Sequence, residues 1–245
     1  MIFNFSKIKL TENNALIFTA YLPSMNQNLE KLWKPLSDQE KTQAEKFINK
    51  PLRDRYVMSH GLLKYLLSFY VGSKPHEIEY SVNQFGKPFL KEESYRVQFN
   101  MSHSKDYAAY IMALDCQVGI DIEWKNKTIN FEEISDFVLS PDEISSFHKL
   151  NSEEKFQTFY DIWTKKEAII EAVGEGLSYP IKTIEIMNST NNIKGCYTTT
   201  DRNTFHYSEL HNLDDYAGAV VLEHKVDELI QIDMAAHKTI KKEET

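Results

Sequence analysis

Residues 118–123 read Val-Gly-Ile-Asp-Ile-Glu, an alternation of aliphatic residues with glycine or an acid that has the period of a β-strand. Side chains two apart leave a strand on one face, so Asp121 and Glu123 project together, opposite Ile120 and Ile122. No basic residue stands between them. Two carboxylates held side by side repel, and a divalent cation relieves that repulsion. A solvated acidic face on an edge strand is the plainer alternative. Further along, Trp163-Thr164-Lys165-Lys166-Glu167-Ala168 lies in a helical pattern, and Glu167 is placed to offer a third oxygen donor.

That helix is bounded by its own chemistry. Ser152 is a capping residue before it, and Gly174 is a usual residue just past a helix end, so the helix spans 153–173. At 100° per residue Phe159, Ile162, Trp163, Ile169, Ile170 and Val173 share one face, which must be buried. Lys166 falls inside that apolar stripe, where it either snorkels along the stripe or reaches a bound anion. Glu167 and Glu171 lie together on the flank. Upstream, Ser140-Pro141-Asp142-Glu143 is a cap, a first-turn proline and a capping-box glutamate in series, which starts a helix running to Leu150.

Toward the N-terminus the signals are of the same kind. Short apolar runs at Ile2-Phe3 and Ala15–Phe18 read as strands, and Ser37 with Glu40 forms a capping box for a helix ending near Phe47. Pro51 opens a longer helix whose apolar side is Tyr56, Leu63, Leu66, Leu67 and Tyr70. Arg53 and Arg55 sit at its start, where the helix dipole disfavours cations, so a nearby anion would explain them. Residues 78–90 read as a hairpin turning at Asn83-Gln84-Phe85-Gly86, before Lys87. Strands at 97–101, 107–114 and 117–123 follow with connections too short for crossover helices, which predicts antiparallel neighbours. Ser102-His103-Ser104 is a polar tip with several donors for a phosphate. Strands are also expected at 183–187, 195–199, 205–210 and 216–222.

The fold class is therefore α/β (α+β), with two similar packed halves, each an antiparallel-rich sheet with a long helix and the active site at their junction. The halves span 1–116 and 117–229, and 230–245 is expected to be a frayed polar tail.

Bulk properties narrow the function. The 245-residue chain is 42% hydrophobic and 26% charged, as soluble globular domains are. Its formal charge of 28 − 36 = −8 gives no general attraction to nucleic acid or to an anionic membrane. No signal-peptide stretch and no spanning window is present, so a cytoplasmic protein is expected. Cys116 and Cys196 have neither C-x-x-C spacing nor a neighbouring His cluster, and read as inert thiols.

Taken in order, Phe85-Gly86-Lys87-Pro88, Phe99 to Ser104, Val118 to Glu123, Phe137 to Glu143 and Trp163 to Ala168, leading to Gly174-Glu175-Gly176-Leu177, resemble the 4′-phosphopantetheinyl transferases of the larger, surfactin-synthetase-activating type. Any one of these motifs is weak, and five in order over residues 37–180 are specific. The resemblance implies a monomeric pseudo-dimer that takes coenzyme A as substrate, Mg²⁺ as cofactor and an apo acyl or peptidyl carrier protein as partner. A carrier serine would attack the β-phosphorus of coenzyme A, and 3′,5′-ADP would leave. By the same comparison Asp121, Glu123 and Glu167 hold Mg²⁺, Glu167 is the base for the serine proton, directly or through a metal-bound water, Ser102 and His103 hold phosphates, Arg55 and Lys87 serve the 3′-phospho-adenosine end, and Lys166 takes a phosphate or cofactor role.

Two departures from the family pattern stand out. Close relatives usually carry lysine where this chain has Glu171, and often place lysines where it has Glu40 and Gln43. A relative that binds coenzyme A or a carrier without efficient turnover is therefore the second functional class. Retention of all three acids favours the active enzyme, because a binding-only descendant gains little from mutually repelling carboxylates.

Overall fold

The structure, a computed structural model, describes residues 8–92, 94–186, 194–200, 202–234 and 238–244. In chain order the elements are β1 (Asn14–Tyr21), α1 (Leu29–Trp33), α2 (Asp38–Glu45), α3 (Lys50–Val71), β2 (Tyr80–Val82), β3 (Pro88–Leu90), β4 (Val97–Ser104), β5 (Tyr107–Leu114), β6 (Val118–Trp124), α4 (Phe131–Val138), α5 (Pro141–Phe147), α6 (Ser152–Val173), β7 (Lys194–Thr198), β8 (Thr204–Glu209), β9 (Tyr216–Leu222), β10 (Glu228–Asp233) and β11 (Lys238–Glu244). Two compact units result, one of residues 1–81, 88–115 and 226–245, the other of residues 82–87 and 116–225.

The first unit is a five-stranded sheet in the order β11-β10-β1-β5-β4, with β1 parallel to β10 and the other pairs antiparallel. Its interior strand β1 is buried from Asn14 to Ala20, as a strand covered on both faces should be. Leu62, Leu63, Leu66 and Leu67 of α3 close the core against Phe18, Phe99 and Tyr110. The second unit is an antiparallel sheet, β6-β9-β8-β7, on which α6 packs Phe159, Ile162, Ile169 and Ile170 as the periodicity required. Both long helices have 22 residues, an asparagine N-cap and a left-handed C-terminal glycine: Asn49 and Gly72 (φ 74°) for α3, Asn151 and Gly174 (φ 81°) for α6.

The departures from expectation have local causes. Asn151 caps α6 in place of Ser152, because its Oδ1 accepts from the backbone N–H groups of both Glu153 and Glu154. Antiparallel pairing holds for β4 with β5, but β6 leaves that series to pair with β9. Residues 230–245, expected to fray, contain most of β10 and all of β11, since Leu229, Ile230 and Ile232 bury themselves beside β1. In the 183–187 segment Ile181–Thr183 forms a 3-10 turn and Met187 lies outside the described residues, as do Ile2 and Phe3. The tip of the hairpin, residues 82–87, belongs to the second unit.

Candidate active site

The acid-bearing strand is held by a close approach of helix to sheet. A Cβ on Gly119 would lie 2.0 Å from the carbonyl oxygen of Ala168 and 2.6 Å from the amide of Ala172, so only glycine lets α6 sit this near β6. Gly119, Asp121 and Glu123 therefore share the face that looks at α6. In the register, Ala219 stands opposite Asp121 and Ala217 opposite Glu123, so each acid has a short side chain as its cross-strand neighbour. Glu209 continues the row beyond Ala219.

Glu167 is half-buried on α6. Burial raises its carboxyl above the usual carboxylate range, and the charges of Glu171 and Glu123 raise it further, while a hydrogen bond donated by the Trp163 indole works the other way. The structure thus brings Glu167 within electrostatic reach of Glu123. Among the described residues, no group of three or more His, Cys, Asp and Glu side chains is arranged to hold a metal ion. The donor chemistry nevertheless suits Mg²⁺, a hard cation that takes carboxylate and phosphate oxygens and keeps several waters.

Lys166 is placed otherwise than its spacing suggested. Its side chain is fully buried and donates to Glu143 Oε2 at 2.5 Å and to the Val138 carbonyl at 2.8 Å. Glu143 is equally committed, accepting from the backbone N–H groups of Ser140 and Ile186. The ammonium neither snorkels nor faces an anion from outside, so Lys166 leaves the cofactor-binding set. Lys87 is also engaged by protein: its Nζ donates to Gln117 Oε1 and to the carbonyls of Val118 and Ala172, each at 3.1 Å.

In the first unit Arg55 pairs with Asp106, donating from Nε at 2.9 Å and Nη2 at 2.6 Å to the same oxygen, and remains about a third exposed. Ser102 and His103 are consecutive residues of β4 and not members of a turn, so their side chains leave the sheet on opposite faces. His103 shares its face with Val97, Phe99 and Met101 and lies close enough to His60 of α3 for their charges to repel. Ser102 shares the other face with Ser104.

Glu40, at a position where the resemblance led us to expect lysine, has a structural duty. Its Oε2 accepts from the Ser37 amide at 2.8 Å and meets Lys64 Nζ at 3.2 Å. Lys64 is 2% exposed, donates to the Ile78 carbonyl and stands 4.3 Å from the centre of the Tyr80 ring. A buried ammonium in the next helix explains an acid in this one. Sequence reasoning missed this pair, the Trp163 bond to Glu167, and Lys165, whose buried Nζ meets Glu209 Oε1 at 2.5 Å. The i, i+4 spacing of Trp163 and Glu167 was a usable signal, whereas the other pairs join distant segments.

An α/β chain with two acids on one strand face and a helical glutamate beside them is equipped to handle a phosphate ester through hard oxygen donors. Known proteins narrow that class. The 4′-phosphopantetheinyl transferase superfamily model matches residues 117–221, and the model for the N-terminal part of such transferases matches residues 20–114. The transferase HetI of a Nostoc species is 30% identical over 167 residues, covering 67% of this chain and 70% of that one. Sfp of Bacillus subtilis is 28% identical over 165 residues, covering 67% and 71%. A holo-(acyl-carrier-protein) synthase from Bacillus anthracis, solved in complex with CoA, is 19% identical with a TM-score of 0.33, over 43% of this chain and 93% of that one. The chain belongs to the 4′-phosphopantetheinyl transferases of the Sfp type.

Proposed function

We propose that this enzyme moves 4′-phosphopantetheine from coenzyme A to a serine of an apo acyl or peptidyl carrier protein. The serine oxygen forms a bond to the β-phosphorus, the bond to the bridging pyrophosphate oxygen breaks, and 3′,5′-ADP departs. The observation that carries this reading is the nearness of Glu167 to Glu123 in a chain of this family. Asp121, Glu123 and Glu167 would hold Mg²⁺, which when bound neutralises charge on the phosphate oxygens. Glu167, with its raised carboxyl and the Trp163 indole to orient it, takes the serine proton. Ser102, His103 and the exposed part of Arg55 offer donors to anionic groups of the donor molecule.

Cytoplasmic residence as a monomer belongs to the same proposal. Cys196 is exposed and free, which suits a reducing compartment. Among the described residues no helix is long and apolar enough to cross a membrane.

Incubation with coenzyme A, Mg²⁺ and an apo carrier, read by intact mass, should add one phosphopantetheine to the carrier. Excess chelator should stop the reaction, and Asp121→Ala or Glu123→Ala should abolish it with the fold retained. A carrier of unchanged mass, under conditions where coenzyme A binds, would select the binding-only relative instead.

A further inference from the structure

The tip of the β2–β3 hairpin is built around Asn83. Its Oδ1 accepts from the amides of Phe85 at 2.9 Å and Lys87 at 3.0 Å, its amide donates to the Lys87 carbonyl, and Gly86 turns the chain at φ 95°. So organised, the tip presents two donors to one helix end. Asn83 Nδ2 donates to the Gly174 carbonyl at 2.7 Å, and Lys87 Nζ donates to the Ala172 carbonyl at 3.1 Å. The last carbonyls of a helix have no donor within the helix, and a cation there also opposes the negative end of its dipole. A segment more than eighty residues away in sequence thus caps α6.

The same ammonium reaches β6. Its remaining bonds go to the Val118 carbonyl and the Gln117 side chain, so its three protons meet three acceptors. Val118 lies just before Asp121 on β6, and Ala172 lies just after Glu167 and Glu171 on α6. Between them is the tight seat of Gly119 on Ala168 and Ala172. Lys87 therefore bolts together, at the edge of their closest contact, the strand that carries two site acids and the helix that carries the third.

We propose that Lys87 is a positioning residue that holds the spacing and register of α6 on β6, and with them the separation of Glu167 from Asp121 and Glu123, and that it is not a ligand of the donor's phosphates. All three of its protons are taken, so to meet a phosphate it would have to give up at least one of these bonds. The inference rests on the reading of those three acids as the reacting site. Burial lowers the ammonium to about 8, Glu171 and then Glu223 work to keep it charged, and so it is protonated at neutral pH.

The full chain with Lys87→Met, and separately with Asn83→Ala, tests this. Measured quantities are kcat and KM for coenzyme A, the affinity for coenzyme A in chelator by calorimetry, Mn²⁺ binding by electron paramagnetic resonance, and amide exchange across residues 165–173. Lys87→Met should lower kcat tenfold or more, weaken Mn²⁺ binding and speed exchange in the last turns of α6, with both coenzyme A constants within threefold. Asn83→Ala should move the same quantities less far, and it carries the test if Lys87→Met does not fold. A tenfold loss of coenzyme A affinity with kcat, Mn²⁺ binding and exchange unchanged would overturn the proposal and return Lys87 to the donor site. Absence of transfer by the unaltered chain would instead count against the proposed reaction, and Mn²⁺ binding and exchange would still decide the role of Lys87.

Discussion

Lys166 and Glu143 face each other inside the second unit with Nζ 2.5 Å from Oε2, at 0% and 1% side-chain exposure. The pair ties the N-terminus of α5 to the middle of α6, the residue next to Glu167. Removing one partner from such a pair leaves a charge buried without compensation, which costs about 3–5 kcal/mol. Lys166→Met should therefore lower the urea midpoint by that equivalent, and the cost of Lys166→Met with Glu143→Gln should be less than the sum of the single changes. In whatever fraction folds, KM for coenzyme A should be unchanged. A normal midpoint with a raised KM would restore Lys166 to the cofactor set.

Gly119→Ala should separate α6 from β6. The added methyl group would meet backbone at 2.0 Å, and backbone cannot swing aside as a side chain can. Overpacking of this kind costs on the order of 3 kcal/mol. The expected result is a lower unfolding midpoint together with loss of transfer, measured on the same preparation. Wild-type activity in the variant would show that the spacing of strand and helix does not set the chemistry.

His60 makes the first unit sensitive to acid. Burial brings its imidazole down to about 4, against the attraction of Glu40 and with the help of His103 and Lys64. Because the folded value lies below the unfolded 6.5, the unfolded chain takes up the proton first. The contribution of His60 is thus fully present above about 6.5 and is lost as pH falls toward 4, by on the order of 3 kcal/mol. Urea unfolding at a series of pH values should show this slope, and His60→Gln should remove most of it between 6.5 and 4.5. An unchanged slope in the variant would assign the acid sensitivity elsewhere.

Glu171→Gln should shift the pH profile of transfer. Among the charges raising the Glu167 carboxyl, Glu171 comes first, so its neutralisation lets Glu167 ionise at lower pH. If Glu167 must be ionised to take the serine proton, the acid limb of log kcat moves to lower pH. The measurement is kcat against pH at saturating coenzyme A and carrier. A limb that stays in place would remove Glu167 from the role of base.

The sequence by itself determined the local elements and the identity of the acids. The strand of Asp121 and Glu123, the box of Ser140 with Glu143, and the start of α3 at Pro51 rest on neighbouring residues only, since periodicity and capping act over one or two turns. Motif order along the chain carried the family. Only the tertiary structure decided what the charged side chains between those motifs are for. Lys64 with Glu40, Lys166 with Glu143 and Lys87 with Ala172 join segments that approach only when the chain is folded. A lysine in a linear pattern looks alike whether it will meet a phosphate or a buried carboxylate, because which it meets is set by the desolvation and partners that packing supplies. For the same reason β10 could not be read as the neighbour of β1: its partner lies at the far end of the chain, and nothing local to Glu228–Asp233 encodes that pairing.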